Sequence, residues 1–139
     1  MRMDRLTSRL QMALSDAQSL ALGKDHNFIE PAHLMQTLLD QKGSVSSLLK
    51  TLHVDLVRFR EQVAAIVDQI SSVEGGDGDV HMSNGLGRLL NIADKYTQKR
   101  GDQFVSSEMV LLAALDDRSA IGALMKDVGI EKVGQRKTS

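Results

Sequence analysis

The chain contains an internal repeat, and this repeat constrains the fold more than any other feature. Residues 28–39 read Phe-Ile-Glu-Pro-Ala-His-Leu-Met-Gln-Thr-Leu-Leu, and residues 104–115 read Phe-Val-Ser-Ser-Glu-Met-Val-Leu-Leu-Ala-Ala-Leu. Placing Phe28 on Phe104 aligns the two halves of the chain without a gap, and we call this the repeat alignment. Most matched positions are apolar, so what repeats is a core pattern, and such a repeat determines the architecture. The identical pairs are Leu10/Leu86, Leu14/Leu90, Ala17/Ala93, Phe28/Phe104, Leu39/Leu115, Asp40/Asp116, Leu48/Leu124, Lys50/Lys126 and Val57/Val133.

Apolar residues recur at helical spacing through both halves. Gly23 is expected to end the first helix, Pro31 to lie in the first turn of the second, and Asp55 to cap the fourth. The pattern predicts helices over about 5–22, 31–40, 45–52 and 56–70, then one opening at Ser83, one starting at Ser107, one over 119–128 and one from Ile130 onward.

No strand pattern of useful length is present, so the predicted fold is all-α. We expect two tandem four-helix pseudo-repeats, related by a pseudo-twofold and packed into one globular domain. The predicted boundaries are 1–70 for repeat one, 71–80 for a linker, 81–133 for repeat two and 134–139 for a polar tail. Glycine and aspartate alternate in the linker, but the terminal Glu of a calcium loop is missing, which favours a flexible connection. The polar tail suggests a linker or a fragment cut from a longer protein.

Composition excludes several classes of function. The net charge of −1 gives no electrostatic reason to expect nucleic acid or an anionic membrane as a partner. The chain has no cysteine, which rules out disulfides and thiolate chemistry and suits a cytoplasmic protein. Charged residues interrupt the N-terminal stretch, so no signal core is predicted, and no apolar run is long enough to span a bilayer.

No arrangement of residues predicts catalysis or a bound cofactor in this chain. None of the four histidines pairs at the i, i+4 spacing that puts two metal ligands on one helix face. His26, Glu30 and His33 are close in sequence, but Pro31 begins a new element between them, so a metal site is not expected. The chain lacks both a nucleophile motif and a phosphate-binding loop, so we expect neither hydrolysis nor nucleotide binding.

The repeat also shows where the two halves differ. Asp16 is matched by Ile92, His33 by Met109 and Gln36 by Leu112, so helices five and six carry extra apolar groups. Two interpretations remain open. These side chains are buried against the other repeat, or they line an exposed apolar groove, which usually marks a binding site in a soluble protein. Methionine suits such a groove because its unbranched side chain adapts to varied partners.

Four segments of the chain resemble the N-terminal (Clp-N) domain of the Clp-type ring ATPases. They are Met-Arg-Met-Asp-Arg-Leu-Thr at 1–7, Asp-Ala-Gln-Ser-Leu-Ala-Leu-Gly at 16–23, Phe-Ile-Glu-Pro-Ala-His-Leu-Met at 28–35, and Gln-Lys-Arg-Gly-Asp-Gln-Phe-Val-Ser-Ser-Glu at 98–108. The resemblance is greatest to the ClpB-type disaggregase chaperones and extends over nearly the whole chain. It implies a helical double-repeat domain, tethered to a hexameric ATPase that threads aggregated polypeptides.

This resemblance implies particular residues and partners. The polar residues linked to chaperone activity in the family correspond to Thr7, Asp102 and Glu108, and its apolar substrate groove corresponds to Ile92, Tyr96 and Met109. Tyr96 departs from the aliphatic residue expected at its position. The implied partners are unfolded or aggregated proteins, the ATPase domains of the same chain, and a co-chaperone of the heat-shock-70 type that acts through other domains. ATP and magnesium are implied for the full-length protein only, and the location is cytoplasmic.

Two functions of different kinds follow from the resemblance. The leading hypothesis is a substrate-binding module of a disaggregase, without catalysis of its own. The alternative is an adaptor-docking domain of a Clp protease ATPase, against which the N-terminal heptad argues.

Overall fold

The computed structural model describes residues 2–73 and 79–130, and in these ranges the chain is mostly helical. The prediction of an all-α fold is confirmed. The predicted eighth helix, the predicted tail at 134–139 and residues 74–78 of the predicted linker lie outside the described residues. The described α-helices are α1 (Ser8–Gly23), α2 (Pro31–Asp40), α3 (Val45–Thr51), α4 (Leu56–Asp68), α5 (Asn84–Lys99), α6 (Ser107–Leu115) and α7 (Ala120–Asp127), and the strands are β1 (Phe28–Ile29) and β2 (His81–Met82). A short 3-10 helix, Met3–Arg5, precedes α1.

The first helix begins three residues later than predicted, at Ser8 rather than residue 5. Leu6 has the burial expected of a helical core residue, but its backbone forms a parallel bridge with Val105. Thr7 is therefore extended and caps the helix, with its Oγ1 accepting the N–H of Leu10 at 3.3 Å. The bridge to Val105 cannot be read from local spacing, because the two residues are far apart in the sequence. The apolar periodicity therefore places Leu6 in the helix.

The segment that leads into the first helix of each half pairs with the other half. We call residues 6–7 and 82–83 the entry segments. The N–H of Thr7 donates to the carbonyl of Val105 at 3.0 Å, and the N–H of Ser83 donates to the carbonyl of Ile29 at 3.1 Å. The repeat alignment converts the first bond into the second, because it matches Thr7 with Ser83 and Ile29 with Val105. Each half thus binds the segment leading into the other half, and β1–β2 and the Leu6–Val105 bridge are equivalent contacts. Two-residue strands are too short to show the alternation that predicts a strand.

The core is built around α2 and α6. Every residue of α2 except Gln36 and Asp40 is buried, and every residue of α6 except Glu108 and Leu112. Helix α1 packs on α2 and α5 packs on α6, which repeats the same pair in each half. The halves are joined where α7 packs against α2 and α4, and where α3 packs against α6. One core therefore serves both repeats.

No helix within residues 2–73 and 79–130 is long and apolar enough to cross a bilayer.

The repeat extends to the backbone of the turn after the third helix of each half. His53 has φ +63° and the equivalent Gly129 has φ +85°. A side chain in this left-handed region costs roughly 1 kcal/mol. Glycine avoids this cost, but it loses more conformational entropy on folding, which offsets part of the gain. We expect His53→Gly to raise the urea midpoint slightly, by up to about 1 kcal/mol in the free energy of unfolding. The matched change Gly129→Ala should lower it. A lower midpoint for His53→Gly would show that the exposed imidazole makes a stabilising contact.

Candidate functional site

The three apolar candidates lie on a pair of packed helices. Ile92 and Tyr96 are four residues apart on α5, so they share a face. Both are half-buried and pack against the core. Met109 lies in the first turn of α6 and is 8% exposed. The three residues whose burial was left open thus differ: Met109 is almost wholly covered, whereas Ile92 and Leu112 are half-buried.

The two carboxylates beside these residues are in different surroundings. Glu108 is half-buried, and its Oε1 accepts the hydroxyl of Ser44 at 2.6 Å, so it joins α6 to the residue before α3 in the other half. Asp102 is exposed on the loop between α5 and α6, where its Oδ2 lies 3.4 Å from Nε of Arg100. An exposed ion pair of this kind contributes little to stability, so Asp102 stays available to a partner.

Thr7 lies near α5 and α6 because its entry segment pairs with the second half. Its backbone bond to Val105 fixes it to the strand-like residues just before α6. Its hydroxyl already serves the first turn of α1. The six candidates thus lie on α5, on α6, on the loop between these helices, or on a segment bonded to that loop. Thr7 and Glu108 also have structural tasks that sequence analysis did not predict.

A buried histidine pair lies at the corresponding place in the first half. Nδ1 of His26 is 2.8 Å from Nε2 of His33, and the ring centroids are 5.0 Å apart. The N–H of Glu30 donates to Nδ1 of His33 at 2.8 Å. Neutral His33 therefore carries its proton on Nε2 and donates it to Nδ1 of His26. This assigns a tautomer to both rings and links the loop after α1 to the first turn of α2.

Burial lowers the pKa of His33 from 6.5 to about 4, and the nearby charges of His26 and Lys24 act in the same direction. His33 is therefore neutral at pH 7. Sequence analysis does not connect these residues because Pro31 separates them, yet the loop brings His26 back over α2. Among the described residues no group of three or more His, Cys, Asp or Glu side chains is placed to hold a metal ion.

The repeat contains the signal that could have found this pair. The repeat alignment matches His26 with Asp102 and His33 with Met109, so both histidines depart from their counterparts. The second of these differences changes a polar residue to an apolar one, whereas the first replaces one polar residue with another. These two departures single out His26 and His33 as residues that the core shared by the two halves does not explain.

Comparison with known solved structures finds the same fold. The N-terminal domain of Hsp104 from Candida albicans matches with a TM-score of 0.81 at 22% identity, covering 91% of this chain and 83% of that one. A ClpV N-domain solved in complex with a VipB peptide matches with a TM-score of 0.74 at 22% identity, covering 91% and 80%. At these identities the likeness concerns the fold alone.

Comparison of sequences gives the family. The chain is 49% identical over 138 residues to the chaperone protein ClpB of Vibrio vulnificus (strain YJ016), an alignment that covers 97% of this chain and 16% of that protein. The chain thus spans about a sixth of the length of this curated relative. Residues 5–128 match the model of the Clp repeat (R) N-terminal domain. Since that model covers most of the chain, the protein belongs to the Clp repeat N-terminal domain family.

Proposed function

We propose that the chain is the substrate-binding N-terminal domain of an ATP-dependent disaggregase chaperone. It captures unfolded or aggregated polypeptide in an apolar groove and passes it to a hexameric ATPase ring. The hydrolysis of ATP, with magnesium, belongs to parts of the protein outside this chain, as does any co-chaperone of the heat-shock-70 type. The relatives named as ClpB chaperones support this proposal, and with it we infer a location in the cytoplasm.

A difference between α5 and α1 supports particular residues as the binding surface. On α5 the face that bears Ile92 and Tyr96 is apolar and partly exposed, whereas the equivalent face of α1 bears Asp16 and Leu20. The shared core does not require this difference. Partly exposed apolar side chains in a soluble domain favour a binding surface. Met109 would form the floor of the groove, with Ile92 and Tyr96 along its wall.

The polar candidates would form its rim. Asp102 is exposed and Glu108 follows it on α6, so an apolar segment flanked by basic residues would be favoured. Thr7 would join the rim through its bond to Val105. Binding should be weak, because a disordered ligand loses conformational entropy when it is ordered in a small groove.

A test replaces the two half-buried groove residues together, as Ile92→Ser with Tyr96→Ser. We expect this variant to keep its helix content and to lose at least about tenfold in affinity for a permanently unfolded, carboxymethylated polypeptide, since each lost apolar contact weakens binding. The measurement is an NMR titration that follows the backbone amides. Met109→Ser is left out because a buried side chain would be lost and stability would fall with binding.

The control is Val57→Ser, which removes an apolar side chain that is 69% exposed on α4. Its affinity should equal that of the parent. Equal binding by the folded Ile92/Tyr96 variant would contradict the proposed groove.

Adaptor docking is the second candidate, and the ClpV N-domain in complex with a VipB peptide is the observation that favours it. An adaptor or a single partner would bind through one defined segment. Selective binding of one short peptide from a mixed set, without binding of the unfolded polypeptide, would support docking. Binding of many unrelated apolar segments would support substrate capture.

A further inference from the structure

The loops before α2 and before α6 have the same backbone but different side chains. The N–H of His26 donates to the carbonyl of Ala21 at 2.9 Å, and the N–H of Asp102 donates to the carbonyl of Thr97 at 3.0 Å. The residue before each is left-handed, with φ +59° at Asp25 and +75° at Gly101. The main chain therefore delivers residues 26 and 102 to equivalent places.

The two side chains then take opposite directions. His26 is only 5% exposed because its ring turns inward to meet His33 on α2. Asp102 is exposed and turns outward to Arg100. Burying a carboxylate against Met109, which offers no hydrogen-bond donor in its side chain, would be costly, whereas a neutral imidazole buried against His33 is paired. The chemistry of the two residues accounts for the two directions.

We propose that the residue at this loop position decides which half of the domain presents a groove. His26 and His33 close the first half's copy of the groove, and Asp102 with Met109 leaves the second half's copy open. This inference rests on the proposed function, and it names the feature that confines substrate to the second half. The domain then holds one segment of polypeptide at a time, although its fold contains two equivalent places.

The helix beside each loop is consistent with this assignment. Where the second half has Ile92 and Tyr96, the first half has Asp16, which is exposed, and Leu20, which is half-buried. On this face only position 16 changes from apolar to polar. The two halves thus differ at the plug, by which we mean His26 packed on His33, at the floor and at one residue of the wall.

The test transplants the plug, as Asp102→His with Met109→His. The first half already shows that this backbone accepts a histidine pair at these positions. We expect the variant to fold and its affinity for the carboxymethylated polypeptide to fall at least about tenfold. Nitrogen-15 NMR of the imidazoles should show the paired tautomers of His26 and His33 reproduced in the new pair. Asp102→Asn removes the same rim charge without adding a second histidine pair, so the plugged variant should bind at least about tenfold more weakly than Asp102→Asn does.

The outcomes distinguish failure of the proposed function from failure of the inference about the plug. No binding by the parent chain would contradict the proposed function, and this inference with it. Binding by the parent and equal binding by a folded variant with paired new histidines would overturn the inference alone.

If the plugged variant does not fold, a reverse variant tests the same inference by opening the groove of the first half. Asp16→Ile, His26→Asp and His33→Met together give the first half the second half's residues at these three positions. Added polypeptide should then shift the amides of Leu20 and Gln36, which it should leave unmoved in the parent. Unmoved amides in the folded reverse variant would likewise overturn the inference.

Discussion

Replacing Leu14 or Leu90 with alanine is expected to lower the free energy of unfolding by similar amounts, about 2–5 kcal/mol each. The two leucines are equivalent in the repeat alignment, and both are buried in the common core. Leu14 lies on α1 against α2, and Leu90 lies on α5 against α6. Each change removes apolar area from the core and leaves a cavity that the close packing of the helix pairs cannot fill.

Urea denaturation measures both effects, and Met12→Ala is the matched control. Met12 lies on α1 but is 61% exposed, so its loss should change the free energy of unfolding by no more than about 0.5 kcal/mol. An unchanged midpoint for Leu14→Ala or for Leu90→Ala would mean that this face of the helix does not pack in the core. It would also mean that the alignment of the two halves is wrong there.

Local signals explain why much of the fold could be predicted from the sequence. The bounds of α2 agree with the prediction because Pro31 marks its first turn and apolar residues follow it closely. Asp55 caps α4 as expected, with Oδ1 accepting the N–H of Arg58 at 3.2 Å. Helix propensity, capping and periodicity all act within a few residues, so one sequence suffices to detect them.

Contacts between distant residues explain what could not be predicted. The pairing of the entry segments depends on backbone bonds such as Thr7–Val105, and backbone groups carry no residue-specific signal. The bond from Ser44 to Glu108 joins residues 64 apart. Asymmetry between the halves draws attention to position 109, but the burial of Met109 depends on how closely α5, α6 and their neighbours pack, which the pattern does not contain.

Lowering the pH from 7.5 to 5 is expected to cost the domain about 2 kcal/mol of stability through His33. Its pKa is about 4 in the folded chain and 6.5 when unfolded. Between these values the unfolded chain binds more protons than the folded chain, so stability falls as the pH falls. The contribution is complete above pH 6.5, and it is lost progressively down to about pH 4.

The comparison that isolates this effect is with His33→Met, which places the second half's residue at the equivalent position. Denaturation of both proteins at pH 7.5 and pH 5 gives two pH-dependent differences. The parent's should exceed the variant's by about 2 kcal/mol. The geometry requires this sign, because a proton on Nδ1 of His33 would displace the N–H of Glu30. Equal pH dependence of the two proteins would contradict the prediction, because it would show that folding does not hinder the protonation of His33.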